Sequence, residues 1–236
     1  MKVADCNWMH LESYLKRDDR IVLPLGSVEQ HGYLSLGVDA ILAERVSVEA
    51  AEPLGVPVLP ALAYGLTPYF AAYPGSPTLQ VETYRAVIRD LLESLYGQGF
   101  RRFLLVNGHG GNDAGRSSGE ELEAAHPDVR VLWHNWWNAP RTWAVVQELD
   151  SEASHASWLE NFPWTRLDGV ELPDGRKPMQ DISRMRELDP ADVRAMLGDG
   201  SFGGVYERPD EEVLRVWQAG VEEVRDLLES GWARDA

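Results

Sequence analysis

The stretch IVLPLGSVEQHGYLSLGVDAILAERVSVEAAE, residues 21–52, joins an apolar run to a polar loop and then to an amphipathic pattern. The run at 21–26 is rich in Val, Ile and Leu, which is typical of a strand buried on both faces. Residues 38–52 carry apolar side chains at intervals of three and four, which predicts a helix. A strand followed by such a helix is the repeating unit of a parallel α/β sheet.

The same pattern recurs along the chain. Further apolar runs lie at 56–62 (VPVLPAL), 101–108 (RRFLLVNG) and 129–135 (VRVLWHN). A second helix is predicted at 81–99, where Gly99 is placed to end it. We therefore predict an α/β fold, a three-layer α/β/α sandwich around a mostly parallel central sheet.

The last third of the chain contains an irregular stretch and a final helix. Residues 169–209 are charged and interrupted by Gly and Pro, with one short helix signal that opens at Asp189-Pro190. We find no internal repeat and no domain boundary, so residues 1–236 are predicted to form a single domain with an irregular excursion at about 169–209. The final helix should bury one face, formed by Val213, Trp217, Val221, Val224 and Leu228.

Composition narrows the possible partners and the compartment. The 236 residues include 22 Lys and Arg against 38 Asp and Glu, a net charge of −16, which disfavours binding to nucleic acid or to an anionic membrane. The single cysteine, Cys6, has no intrachain disulfide partner, and the first residues lack a signal-peptide pattern. No apolar run reaches the roughly 18 residues of a membrane span. We expect a cytoplasmic protein.

Polar residues that follow two of the predicted strands suggest a metal site. The first strand leads to Glu29, His31 and Asp39, and the third leads to His109 within NGHGGN. In a parallel sheet these positions share one edge, where ligands bind. Carboxylates and imidazoles without thiolates suit zinc, manganese or iron(II). Any one of these residues could be a surface turn residue, and the glycines could simply form a tight turn, so the prediction rests on their convergence.

Glu29 and His31 are separated by one residue. Alternate side chains of an extended segment point the same way, so these two can reach adjacent metals while Asp39 bridges them. A pair of metals can activate a water molecule and polarise a carbonyl group together. This arrangement favours a hydrolase.

Several motifs resemble those of the creatininase (creatinine amidohydrolase) family. They are LPLGSVEQHG at 23–32, Asp39, PGS at 74–76 and NGHGGN at 107–112, and the likeness runs from about residue 20 to residue 160. The resemblance implies a three-layer α/β fold, a centre of two divalent metal ions and hydrolysis of cyclic or linear amide C–N bonds. It also implies a homo-oligomer, usually a homohexamer.

The resemblance also assigns the ligands. By position, Glu29, Asp39 and His109 would hold one metal, while His31 and the bridging Asp39 would hold the other.

HASWLEN at 155–161 resembles the family's HAGxxET motif, which makes Glu160 the remaining metal ligand and His155 the proton shuttle. Residues five apart on a regular helix differ by about 140° in direction. Both side chains would therefore face the metals only if His155 lies before or at the first helical turn.

Residues near these motifs are candidates for substrate binding. The loop from His31 to Asp39 is one residue shorter than in the family's common HGPHLPLGTD, which indicates a changed specificity. Tryptophans are frequent after the predicted strand at 129–135, and aromatic walls there would suit a planar amide. Most of these tryptophans are nevertheless expected in the core. The predicted substrate-binding residues are Tyr33, Ser76, Gly110, Trp136 and Trp137.

The sequence therefore predicts a metal-dependent amidohydrolase for a small amide. A metal-bridging hydroxide would attack the carbonyl, and His155 would protonate the departing nitrogen. One alternative is a catalytically silent oligomer that binds a metal or ligand. The other is a relative that acts on a formamido-pyrimidine, a precursor peptide or a keto-inositol.

Overall fold

The computed structural model describes residues 1–233, and a three-stranded parallel sheet lies at its centre. The strands are β1 (Arg20–Leu25), β2 (Arg102–Asn107) and β3 (Arg130–Asn135), in the order β1-β2-β3. Both pairs are parallel along their whole length. These are three of the four predicted strands, each within a residue of its predicted bounds.

The second predicted strand in chain order, residues 56–62, is only partly formed. This segment runs parallel to the outer edge of β1 but pairs with it through isolated bridges at Val58 and Leu62. Pro57 and Pro60 have no N–H group to donate, so a continuous ladder cannot form. The prediction of a regular strand here is therefore wrong.

Three helices cover one face of the sheet. Val22, Leu104 and Val106 point toward this face and belong to one apolar cluster with the helices. The helices are α2 (Val38–Ala51), α5 (Pro140–Leu149) and α7 (Asp210–Ser230).

The alternate strand residues point to the opposite face. Ile21, Leu23, Phe103 and Leu105 lie in a second apolar cluster, as expected from the two-residue period of a strand. The helices on this side are α1 (Trp8–Leu15), α3 (Val81–Gln98) and α4 (Arg116–Ala125). The sheet is thus sandwiched between two helical layers.

Two sequence signals for helices are confirmed. Gly99 ends α3 in a left-handed conformation with φ 113°, which glycine adopts without strain. The predicted apolar face of α7 is buried against α2 and α5, and includes Val213, Trp217, Val221, Val224 and Leu228. Neither α7 nor any other helix within residues 1–233 has the length and apolar character to cross a membrane.

Residues 169–209 contain short regular elements. A two-residue ladder joins β4 (Arg176–Lys177) to β5 (Gly204–Val205), and the helix predicted after Asp189-Pro190 is present as α6 (Pro190–Leu197). A third apolar cluster, separate from the other two, joins this segment to the loop at 67–73 through Phe70, Met185, Val193 and Leu197.

Candidate metal centre

The candidate ligands come from loops at the carboxyl ends of β1 and β2 and from residues 155–160. The loop after β1 carries Glu29 and His31, and Asp39 lies in the first turn of α2. His109 follows β2. Because β1 and β2 are parallel neighbours, their carboxyl ends lie side by side, and the four side chains converge there.

Two glycines allow these loops to approach α2 closely. A Cβ atom on Gly26 would lie 2.5 Å from the backbone of Ala40, and one on Gly108 would lie 2.4 Å from the carbonyl oxygen of Asp39. Both distances are too short for any side chain, so glycine is required at each position. The first glycine of NGHGGN therefore brings His109 close to Asp39.

The first group of ligand atoms consists of Glu29, Asp39 and His109. His109 Nδ1 lies 3.2 Å from Glu29 Oε1 and 3.1 Å from Asp39 Oδ2. All three side chains are buried, and their ligand atoms lie within 4.8 Å of one another.

The second group consists of His31, Asp39 and Glu160. His31 Nε2 lies 3.1 Å from Asp39 Oδ1 and 3.8 Å from Glu160 Oε2, again within 4.8 Å overall. Asp39 therefore presents one carboxylate oxygen to each group, so the two groups share a ligand. The sequence predicted this division of the residues, and the structure brings all five together; that they bind metal stays a prediction.

Hydrogen bonds orient both histidines. His31 Nδ1 lies 3.1 Å from the Glu29 carbonyl oxygen, and His109 Nε2 lies 2.9 Å from that of Leu66. A carbonyl oxygen only accepts, so each of these nitrogens carries the proton and donates it in the neutral imidazole. The other ring nitrogen of each histidine faces the carboxylates, and it offers a lone pair there once the imidazolium has lost its proton, as in metal-binding histidines.

The cluster fits a pair of divalent cations. Glu29 Oε2, His31 Nε2 and Asp39 Oδ2 are buried, yet none has a well-aligned hydrogen bond from any part of residues 1–233. Buried polar atoms normally have such partners, and atoms that instead point at a common centre are typical of ligands. Carboxylate oxygens with imidazole nitrogens suit zinc, manganese or iron(II).

His155 and Glu160 satisfy the geometric condition set by their spacing. His155 lies in a turn before the short 3-10 helix Trp158–Glu160, so no regular helix separates the two residues. His155 Nδ1 lies 3.8 Å from Glu29 Oε1 and 3.9 Å from Glu160 Oε2. Both side chains therefore face the cluster.

Gln30 is a contact residue that the sequence analysis missed. Its backbone oxygen and its side-chain Nε2 lie 3.0 Å and 2.9 Å from His155 Nε2. The same amide donates to the Gly200 carbonyl oxygen at 3.0 Å, which links the 169–209 segment to the site. The only available signal was its place between Glu29 and His31, which does not reveal where its side chain points.

Burial and nearby charges set the protonation of the metal-free cluster. Burial alone would lower the pKa of His31, but Asp39 and Glu160 outweigh it and raise that pKa to about 10. Burial raises the pKa of Glu160 to about 7. For His155, burial and the nearby His31 hold the pKa well below its ordinary value, so this imidazole is neutral at pH 7.

A cavity of about 900 Å³ opens above the cluster. Its lining includes Glu29, Asp39, His109, His155 and Glu160, of which the first three are buried. Its walls are mainly apolar and aromatic, and they include Tyr69, Phe70, Trp137, Trp143, Leu159 and Phe202. The volume is within the usual range for a small-molecule site. Most of these wall residues were not predicted, because the loops that carry them have no periodic pattern.

The predicted substrate-binding residues divide into two groups. Gly110 and Trp137 line the cavity. The structure places the other three elsewhere: Tyr33 packs edge-on against Tyr206, the Ser76 hydroxyl accepts a 2.9 Å hydrogen bond from the Gln30 N–H, and Trp136 is buried in the core. Trp136 turns inward because Phe162 and Trp217 pack around it.

Residues 4–236 match the family described as creatininase, creatinine amidohydrolase. The chain belongs to the creatininase family. This creatininase-family protein is 29% identical over 163 residues to the creatinine amidohydrolase of Pseudomonas putida, an alignment that covers 64% of this chain and 63% of that enzyme. The chain thus spans less than two thirds of the Pseudomonas enzyme.

Other similar proteins include a peptidase and a creatininase of known structure. The chain is 31% identical over 184 residues to the mycofactocin precursor peptide peptidase of Mycobacterium ulcerans, across 64% of this chain and 70% of that protein. The solved structure of a manganese form of creatininase superposes with a TM-score of 0.79 over 99% of both chains at 24% identity. This likeness confirms the predicted fold of the creatininase-family protein.

Proposed function

We propose that this protein is a metal-dependent amidohydrolase that cleaves the C–N bond of a small cyclic or linear amide. The observation that carries the proposal is the position of Asp39, whose two carboxylate oxygens lie 3.1 Å from His31 Nε2 and 3.1 Å from His109 Nδ1. A shared carboxylate of this kind is typical of a two-metal hydrolytic site. Membership of the creatininase family supports the same activity.

The ligands divide between two divalent ions, zinc, manganese or iron(II). Glu29, Asp39 and His109 would hold one ion, and His31, Asp39 and Glu160 would hold the other. Bound there, the ions would activate a water molecule for attack and polarise the amide carbonyl.

His155 would transfer the proton that cleavage requires. The C–N bond breaks only if the departing nitrogen receives a proton, and the attacking water has one to give up. The imidazole of His155 is neutral and its Nδ1 faces the ligand carboxylates, so it can accept that proton and deliver it to the nitrogen. A hydrogen bond from the His155 Nε2–H to the Gln30 carbonyl oxygen holds the ring in this orientation and leaves Nδ1 able to accept a proton.

Metal removal and restoration test the proposal. The protein would be assayed for amine release on a panel of lactams, creatinine and linear amides, before and after exhaustive chelation. We expect activity on at least one amide, its loss with chelator, and recovery with zinc, manganese or iron(II) together with two bound ions per chain. Turnover that survives complete metal removal would overturn the proposal, as would a metal-loaded protein that hydrolyses no amide.

The assembly and the compartment belong to the proposal as well. Family resemblance predicts a homo-oligomer, usually a hexamer, and the single cysteine favours the cytoplasm. Trp8 and Met9 at the start of α1 are exposed by 70% and 52%, which is unusual for large apolar side chains. Sedimentation of the full chain tests the assembly, and a monomer at micromolar concentration would contradict it.

A further inference from the structure

The mouth of the cavity contains a single cationic side chain, Arg186. Among the residues that line the cavity, it is the sole Lys or Arg. The carboxylates of Glu29 and Asp39 are buried and that of Glu160 is half-buried, whereas Arg186 is exposed to solvent. The positive charge of Arg186 therefore lies where a bound molecule would have to pass or to rest.

Within residues 1–233, the guanidinium of Arg186 is left without an acidic partner. Its guanidinium forms no ion pair or hydrogen bond with any of residues 1–233, although acidic side chains outnumber basic ones by 38 to 22 in the chain. The nearby Arg184 shows the contrast, because its Nε donates a 2.9 Å hydrogen bond to Glu187 Oε2. In so acidic a protein, an unpaired guanidinium in a cavity is available to a ligand.

The backbone holds Arg186 in place. It belongs to the 3-10 helix Met185–Glu187, in which the Glu187 N–H donates to the Arg184 carbonyl oxygen at 2.9 Å. The side chain of Met185 is buried in the third apolar cluster with Phe70, which anchors this turn to the wall of the cavity. Arg186 also lies close enough to Tyr69 to act on the pKa of its phenol.

We propose that the substrate amide carries a carboxylate, which the Arg186 guanidinium binds at the mouth while the scissile bond lies at the metal centre. This inference rests on the proposed function. Two divalent cations would carry four positive charges against the three negative charges of Glu29, Asp39 and Glu160. A metal-loaded site would therefore not repel an anion. The aromatic and aliphatic walls between the two ends would enclose the apolar body of such a substrate.

A carboxylate fits better than a phosphate. A guanidinium pairs with a carboxylate through two parallel hydrogen bonds and matches its single charge. A phosphate carries more charge and would need additional cations, and none lines this cavity among the described residues.

Matched ligands test the inference. The carboxylate is placed on the amine half in hippurate and on the acyl half in succinanilate, each compared with its neutral carboxamide. Binding to the metal-loaded protein would be followed by quenching of the cavity tryptophans, Trp137 and Trp143. We expect at least one acid to bind roughly tenfold more tightly than its carboxamide, and Arg186→Gln to remove this preference. The control Arg184→Gln, which alters a paired and exposed arginine outside the cavity, should keep it.

Two results would overturn the inference. The first is that neither acid is preferred over its carboxamide, and the second is that the preference persists in Arg186→Gln, which would mean that the metals alone bind the carboxylate. Amine release measured on the same four compounds tests the proposed amide hydrolysis separately from the binding of a carboxylate by Arg186. Arg186-dependent binding without hydrolysis would count against amide cleavage and would support anion recognition.

Discussion

The backbone N–H of Ala156 donates a 2.6 Å hydrogen bond to Glu160 Oε2, and Ala156 itself has φ 55°. Among residues 1–233 it is the sole non-glycine residue with positive φ. The left-handed conformation closes the turn that aims both His155 and Glu160 at the cluster. Such a conformation costs an L-residue on the order of 1–2 kcal/mol, which the surrounding packing must offset.

Ala156→Val should therefore disrupt the second group of ligands. A β-branched residue is strongly disfavoured at positive φ, so the turn would open and Glu160 would move. We expect a loss of about 2 kcal/mol in the free energy of unfolding and at least tenfold weaker binding of one metal ion. The control Ala156→Gly fits the conformation and should keep both ions. Urea denaturation and metal titration measure these effects, and wild-type metal affinity in Ala156→Val would refute the role of the turn.

Substitutions of single ligands should change the number of bound ions in different ways. Asp39→Asn replaces one oxygen with an amide nitrogen that cannot bind a cation, so both ions should be lost or greatly weakened. His31→Ala should remove one ion and leave the other. His126→Ala, a control outside the cluster that loses a contact with Glu93 and a stacking contact with Tyr96, should keep both. Metal content after dialysis decides between these outcomes, and one retained ion in Asp39→Asn would contradict the shared ligand.

His155→Ala separates proton transfer from metal binding. His155 lies farther from the ligand carboxylates, at 3.8 Å and 3.9 Å, than the two histidines that we assign to the metals. The variant should therefore bind both ions normally while kcat falls by about 100-fold to 10,000-fold, the range typical of a lost general acid–base. A loss of metal in His155→Ala would instead make this residue a ligand.

The sequence predicted the part of the site that follows from sheet topology. Glu29, His31, Asp39 and His109 follow or flank strands whose carboxyl ends must lie at one edge, so their convergence required only a correct fold class. Glu160 was found only through the resemblance of HASWLEN to a family motif, because nothing in its local sequence distinguishes it from an exposed acidic residue.

The walls of the cavity could not be predicted in this way. Phe70 and Phe202 come from loops that are distant in sequence and meet only through tertiary packing. Trp136 and Trp137 are adjacent in one 3-10 turn, so a single step along the chain separates a core position from a cavity position. The segment 56–62 shows a similar limit of prediction from sequence. Its apolar pattern correctly indicated burial, but its prolines prevent the regular strand pairing that the pattern predicts.

Metal affinity should rise with pH. Without metal, neighbouring carboxylates outweigh the effect of burial and raise the pKa of His31 to about 10 and that of His109 well above its ordinary value. Both imidazoles are therefore protonated at pH 7, and a metal ion must displace a proton from each. The dissociation constant for the ion held by His31 should fall by about tenfold per pH unit between pH 7 and 9, and that for the ion held by His109 should also fall as the pH rises. Titration calorimetry in buffers of different ionisation enthalpy counts the released protons, and binding without release would contradict this protonation state.

The two adjacent tryptophans should respond differently to truncation. Trp136 is 1% exposed and packs against Phe162, Trp217 and Gly220, so Trp136→Ala should reduce the free energy of unfolding by about 3–5 kcal/mol. Trp137 is half-buried at the cavity, so Trp137→Ala should lose less stability and mainly raise KM for amides with a planar apolar body. Chemical denaturation combined with steady-state kinetics on both variants tests the assignment. If Trp137→Ala lost as much stability as Trp136→Ala and kept the wild-type KM, both residues would belong to the core.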